Sequence, residues 1–89
     1  MTTVPMFDGC DLDDPVDQLV AYHLQQSVID WQAGNYPTIG VSLSERSYAA
    51  LEQARHDGLN LEILGTRWFL ATRWLRYDSG IDFTPKQSR

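Results

Sequence analysis

The groups that could do chemistry in this 89-residue chain are few. Cys10 is the only cysteine, and His23 and His56 are the only histidines. Cys10 with His23 is therefore the one possible thiol–imidazole pair. A reactive thiol needs an electropositive setting. Cys10 instead sits among Asp8, Asp11, Asp13 and Asp14, which raise its pKa and leave a nucleophile without an activating base. The two histidines are too far apart in sequence to form a metal motif. The aspartates of the DGCDLDD run lack the alternate oxygen ligands and terminal glutamate of a calcium loop. Gly34 and Gly40 have neither the spacing nor the lysine of a phosphate-binding loop. Ser42, Ser44 and Ser47 fit helix capping better than catalysis. No cofactor or metal site is expected, and the chain reads as non-enzymatic.

The arginines and aromatics are a different matter. GLNLEILGTRWFLATRWLRY, residues 58–77, is the most apolar and aromatic stretch and carries Arg67, Arg73 and Arg76. Trp, Tyr and Arg are the residue types that dominate protein interfaces. Arg67, Phe69, Arg73, Trp74, Arg76 and Tyr77 form the candidate interaction surface. Arginine interleaved with aromatics can also stack on single-stranded bases. The formal net charge of −5 opposes this, because phosphate attraction drives such binding. A protein partner is expected and nucleic acid is not.

Two folds of this stretch position those residues differently. As a β-hairpin, Leu59–Leu64 pairs with the strand from Arg67 through a Gly65-Thr66 turn, since glycine first suits a type II′ turn. Leu61, Ile63, Trp68, Leu70 and Trp74 then share one face, and Arg67, Phe69 and Arg73 the other. As a helix capped by Asn60, the stretch puts Leu61, Leu64, Trp68, Ala71 and Leu75 on one stripe. An interior Gly65 costs the helix about 1 kcal/mol relative to alanine. The hairpin is preferred.

The remaining elements frame this stretch. A helix is predicted over 14–33, with Asp14 as N-cap, Pro15 at the first helical position and Gly34 just past the end. Its apolar stripe runs through Val16, Leu19, Val20, His23, Leu24, Ser27, Val28 and Trp31. Thr38–Leu43 alternates, with Ile39, Val41 and Leu43 on one side, and predicts a half-buried strand. Ser42 or Ser44 then caps a helix to about His56, ended by Asp57-Gly58. The expected fold is α+β in the order α-β-α-β-β: a three-stranded sheet with two helices on one face. The domain spans residues 14–83, between an irregular acidic arm (1–13) and a flexible tail (84–89). In the arm, Val4, Met6, Phe7 and Leu12 could tack onto the body.

With the helical alternative the order becomes α-β-α-α, and the single strand must pair with a second molecule. TIGVSLSERSYAALEQARHDG followed by LNLEILGTRWFLATRWLRY then resembles the ribbon-helix-helix family over Thr38 to Tyr77. The resemblance implies a DNA-binding dimer whose outward strand residues, here Thr38, Gly40 and Ser42, enter the major groove. Basic or amide side chains are the usual groove readers.

Composition sets the outer limits. Hydrophobic residues make up 43% of the chain, enough for one modest core. The first basic residue is Arg46; before it stand Asp8, Asp11, Asp13, Asp14, Asp17, Asp30 and Glu45. The front is acidic and the back mildly basic, which serves solubility. No stretch is long enough to span a bilayer. A lone cysteine fits the cytoplasm. The overall expectation is a small interaction or regulatory module that forms a homodimer.

Overall fold

The computed structural model describes residues 7–85. It contains three helices: α1 (Pro15–Gln32), α2 (Ile39–His56) and α3 (Leu61–Tyr77). There is no strand among the described residues, so the expected α+β sheet is overturned. The chain is all-α. Both the hairpin and the single strand of the alternative order are replaced by helix.

α1 forms as its sequence predicts. Asp14 is the N-cap and its carboxylate accepts from the Val16 N–H at 2.9 Å. The helix stops in a Schellman motif. The Gly34 N–H donates to Trp31 and the Asn35 N–H to Asp30, both at 3.0 Å, with Gly34 at φ +85°. Glycine takes that left-handed conformation without the Cβ clash other residues would meet.

Residues 38–43 form the cap and first turns of α2 instead of the expected strand, because their alternation is accidental. Thr38, extended at φ −139°, caps α2, and its hydroxyl accepts from the Val41 N–H at 3.3 Å. The buried positions that follow are Ile39, Ser42, Leu43, Ala50 and Ala54. That is helical spacing, not period two. Val41, expected inside, is 41% exposed. Ser42, expected outside, is fully buried. It can be buried because its hydroxyl donates to the Ser27 carbonyl of α1 at 2.8 Å, while Ser27 donates to the His23 carbonyl at 2.9 Å. Small hydroxyls paired across a helix crossing let the two backbones come close and leave no donor unmade. Ser44 and Ser47 cap nothing; each donates to a carbonyl of the preceding turn.

α2 ends in a second Schellman motif at Gly58, with the Leu59 N–H donating to Ala54 at 2.9 Å. Two residues on, Asn60 caps α3 by accepting from the N–H groups of Glu62 and Ile63 at 3.0 and 3.1 Å. Gly65 lies inside α3 without interrupting it. Gly65 favours a tight turn and counts against a helix. Packing outweighs it: Leu64, Ala71 and Leu75 are almost wholly buried, and burying a leucine contributes about 1.5–3 kcal/mol.

The core draws on all three helices and both flanks. Phe7, from the acidic arm, is buried with Val16, Val20, Ala21, Leu24, Trp31, Ile39 and Leu43. At the other end Phe83 packs edge-on against Trp31, ring centroids 5.4 Å apart. The arm residues Val4 and Met6, and the tail beyond residue 85, lie outside the described residues.

A methyl group at position 65 would meet open space. We therefore expect Gly65→Ala to raise stability by about 1 kcal/mol, a gain of about 4–8 °C in Tm for a domain of this size, measured by thermal unfolding followed through helical circular dichroism.

Candidate functional site

The rotation of α3 about its own axis decides which of its side chains are available. It is set by Arg67. Asp17 of α1 has no exposed surface, and a carboxylate in that position must be paired and hydrogen-bonded. Arg67 donates to one of its oxygens at 2.6 Å, and the Asp11 N–H of the arm donates to the other at 2.9 Å. Asp14 lies 3.9 Å from the same guanidinium. Arg67 therefore turns inward rather than joining the outward surface where the hairpin placed it. Trp74 also packs partly against the core.

The opposite side of α3 faces outward. Phe69 is 63% exposed, Leu70 51%, Ile63 43% and Tyr77 75%. Glu62, Thr66, Arg73 and Arg76 share this side and are exposed. Among the described residues, Glu62, Arg73 and Arg76 form no ion pair, whereas Arg46, Arg55 and Arg67 each do. Phe69, Thr72, Arg73, Arg76 and Tyr77 line a shallow depression of about 340 Å³. The Arg76 guanidinium lies beside Gly40 at the start of α2, where a methyl group would touch it at 3.6 Å.

Of the six expected surface residues, the structure keeps Phe69, Arg73, Arg76 and Tyr77 together and turns Arg67 and Trp74 toward the body. It adds Ile63 and Leu70, which the hairpin had placed on the buried face, and Glu62. Their signal was available in the helical register of 61–77: Ile63, Leu70 and Tyr77 recur every seven residues, as do Glu62, Phe69 and Arg76.

A second concavity lies between α2 and α3, about 210 Å³ in volume and mainly apolar. Ser47, Ala50, Leu51, Leu61, Leu64, Gly65 and Trp68 line it. The small residues Gly65 and Ala50 leave this space unfilled.

The remaining reactive groups are placed as follows. Burial pushes the Cys10 thiol up from its ordinary pKa, and the charges of Asp17 and Asp11 add to this against a smaller opposing effect of Arg67. His23 is buried in α1 with neither ring nitrogen hydrogen-bonded among the described residues. Its ring meets Tyr22 edge-on at 5.1 Å. Burial, and then the Arg46 charge from α2, hold its pKa below the ordinary value. Arg46 itself is clamped on Asp30, with Nε at 2.9 Å and Nη2 at 2.5 Å from one carboxylate oxygen. His56 is exposed, 3.1 Å from Asp57, whose carboxyl is held below its usual range first by Gln53 and then by His56. Among the described residues no group of three or more His, Cys, Asp or Glu side chains is placed to hold a metal ion. None of the described helices is long and apolar enough to cross a membrane.

No protein-family model matches the chain, and no curated protein or solved structure matches it either.

Arg67→Met should destabilise the fold by roughly 2–3 kcal/mol. It leaves Asp17 buried without its counter-charge, which costs about 3–5 kcal/mol for fully buried pairs, reduced here because the Arg67 side chain is 36% exposed. Urea unfolding checks this, and Asp17→Leu combined with Arg67→Met should lose less than the two singles added together.

His23 gives a pH dependence of definite sign. Its folded pKa lies below the unfolded one, so the unfolded chain binds the proton more readily. The stability from neutral His23 is complete above about pH 6.5 and is lost as the pH falls below that toward the folded value. His23→Leu should flatten the decline in urea midpoint between pH 7.5 and 5, relative to the unmodified chain, by roughly the amount this one group contributes.

Proposed function

We propose that this chain is a small non-enzymatic protein-interaction module whose contact surface is the outward face of α3. One observation carries the proposal. Four large apolar side chains stand exposed along a single helix, beside two arginines that form no ion pair among the described residues. Single exposed apolar residues are ordinary on any protein. Four on one helix face, with Arg73 among them and Arg76 beside them, have the composition of an interface. The opposite face of α3 already supplies the core through Leu64, Ala71 and Leu75, so the outward row is not spare core. Cytoplasmic action fits the lone cysteine and the acidic surface charge.

DNA binding by a paired ribbon has lost its support, because Thr38, Gly40 and Ser42 belong to the cap and first turns of α2. Ser42 is also fully buried and committed to Ser27.

A photoreactive phenylalanine analogue at position 69 tests the module. In cells producing the chain, irradiation should yield a discrete protein adduct from position 69. The same analogue at Tyr22, an aromatic on α1 that is 52% exposed, should yield none. Adducts of equal strength from both positions, or from neither, would remove the assignment.

A further inference from the structure

The outward face of α3 carries two rows with a seven-residue repeat. One is Glu62, Phe69 and Arg76; the other is Ile63, Leu70 and Tyr77. Positions seven apart recur on nearly the same side of a helix, so a second helix laid along this face would meet both rows. The first row is acidic at its start, apolar at its middle and basic at its end. The second is apolar throughout, and Thr66 and Arg73 lie between the two rows. Along a helix these positions are separated by about 1.5 Å of rise per residue, so each row spans two full heptad steps.

We propose that the partner of this face is a second copy of the same chain, packed antiparallel about a two-fold axis that passes between Phe69 and Leu70. This deepens the interaction reading and rests on it. A two-fold of this kind inverts the helix direction and keeps each row facing its own copy. Glu62 of one protomer then stands opposite Arg76 of its partner, and Arg76 opposite Glu62, with Phe69 meeting Phe69 between them. In the other row Ile63 stands opposite Tyr77 and Leu70 opposite Leu70. Thr66 meets Arg73 at the middle.

Charge complementarity selects this occupant. The face carries Glu62 in the first turn of α3 and Arg76 in the last, an order the helix dipole also favours, with Arg73 nearer the middle, and none of the three forms an ion pair among the described residues. A partner of one sign would satisfy one end and repel the other. A parallel copy would set Glu62 on Glu62 and Arg76 on Arg76. Only inversion turns both ends into opposite-charge contacts, while the apolar centre is self-complementary. Nucleic acid would meet Glu62 and a chain of net charge −5.

The test is a charge exchange followed by sedimentation of the purified full chain. The unmodified chain is expected to be a dimer. Glu62→Arg alone and Arg76→Glu alone each set like charges together twice per dimer, and each should weaken dimerisation roughly tenfold or more. Mixed in equal amounts, the two variants should dimerise with each other, because every contact between positions 62 and 76 is again Arg opposite Glu. Both positions are exposed, so helical circular dichroism should be unchanged in each variant. A chain that stays monomeric at millimolar concentration overturns the self-pairing. So does a dimer that neither reversal weakens, or a mixture that recovers nothing. If the chain is monomeric yet position 69 still cross-links to a different protein, the interaction surface stands and its pairing with a second copy falls.

Discussion

A carboxylate sealed from water must find its partners inside the protein, and Asp17 is such a group. Its position is dictated by α1, where it follows Val16 in the first turn and takes a place near the helix N-terminus that favours negative charge. Its two oxygens are then answered from opposite ends of the chain, by the Asp11 backbone and by the Arg67 guanidinium. The arm, α1 and the distant α3 are joined at one group. The arm is held against α1, which lets Phe7 enter the core. The rotation of α3 that brings Arg67 to Asp17 also turns Leu64, Ala71 and Leu75 inward. The outward face of α3 follows from this as the remaining side of the cylinder.

The packing of α2 obeys a related rule with neutral groups. Ser27 and Ser42 are both without exposed surface, and each hydroxyl donates to a main-chain carbonyl, that of Ser42 across to α1. Such bonds add only about 1 kcal/mol each to net stability, but leaving a buried hydroxyl unpaired costs more. The serines therefore fix the register of α2 on α1 more than they strengthen it. Ala50, Ala54 and Ala71, all nearly fully buried, keep the helices close by the same logic of small side chains.

Much of this could be read from the residues, and the failures have physical causes. α1 was legible because its signals agree: an aspartate cap, proline at the first position, a continuous apolar stripe and a terminal glycine. The end of α2 at Asp57-Gly58 was legible for the same reason. Residues 38–43 were not, because Ile39, Val41 and Leu43 satisfy a strand pattern over six residues, and only the partner of Ser42 shows that a polar residue belongs inside. That partner, Ser27, lies on another helix. In α3 the core stripe Leu64, Trp68, Ala71 and Leu75 was visible as an alternative, but Gly65 weighed locally against it while the compensating burial is tertiary. Of the surface, Phe69, Arg73, Arg76 and Tyr77 could be found by residue type. Arg67 could not be separated from them, since nothing near it in sequence reveals that Asp17 is buried fifty positions away.

The sizes of the residues on the two sides of α3 bear on why its outward face is apolar at all. Inside, α3 contributes Leu64, Ala71 and Leu75 to the buried core. Outside stand Phe69, Leu70, Ile63 and Tyr77, bulkier than much of what the core uses. If this protein's only requirement were to fold alone, polar residues there would serve as well, since exposed side chains contribute little to stability. These side chains are already partly covered, so covering each completely would release about 1 kcal/mol, a part of the full-burial value, and the isolated chain forgoes it. The chain elsewhere shows no shortage of polar residues: its front half is acidic, and its other exposed apolar residues, such as Leu12, Tyr22 and Tyr48, are spread over different elements. Pairs spaced by seven also occur on α1 (Tyr22 and Ile29) and α2 (Val41 and Tyr48), but among the described residues only α3 brings four such side chains to one face, beside Glu62, Arg73 and Arg76, which form no ion pair there. Four large apolar side chains gathered on one face favour an assembled molecule over an isolated one, which is why the proposed contact surface is placed there.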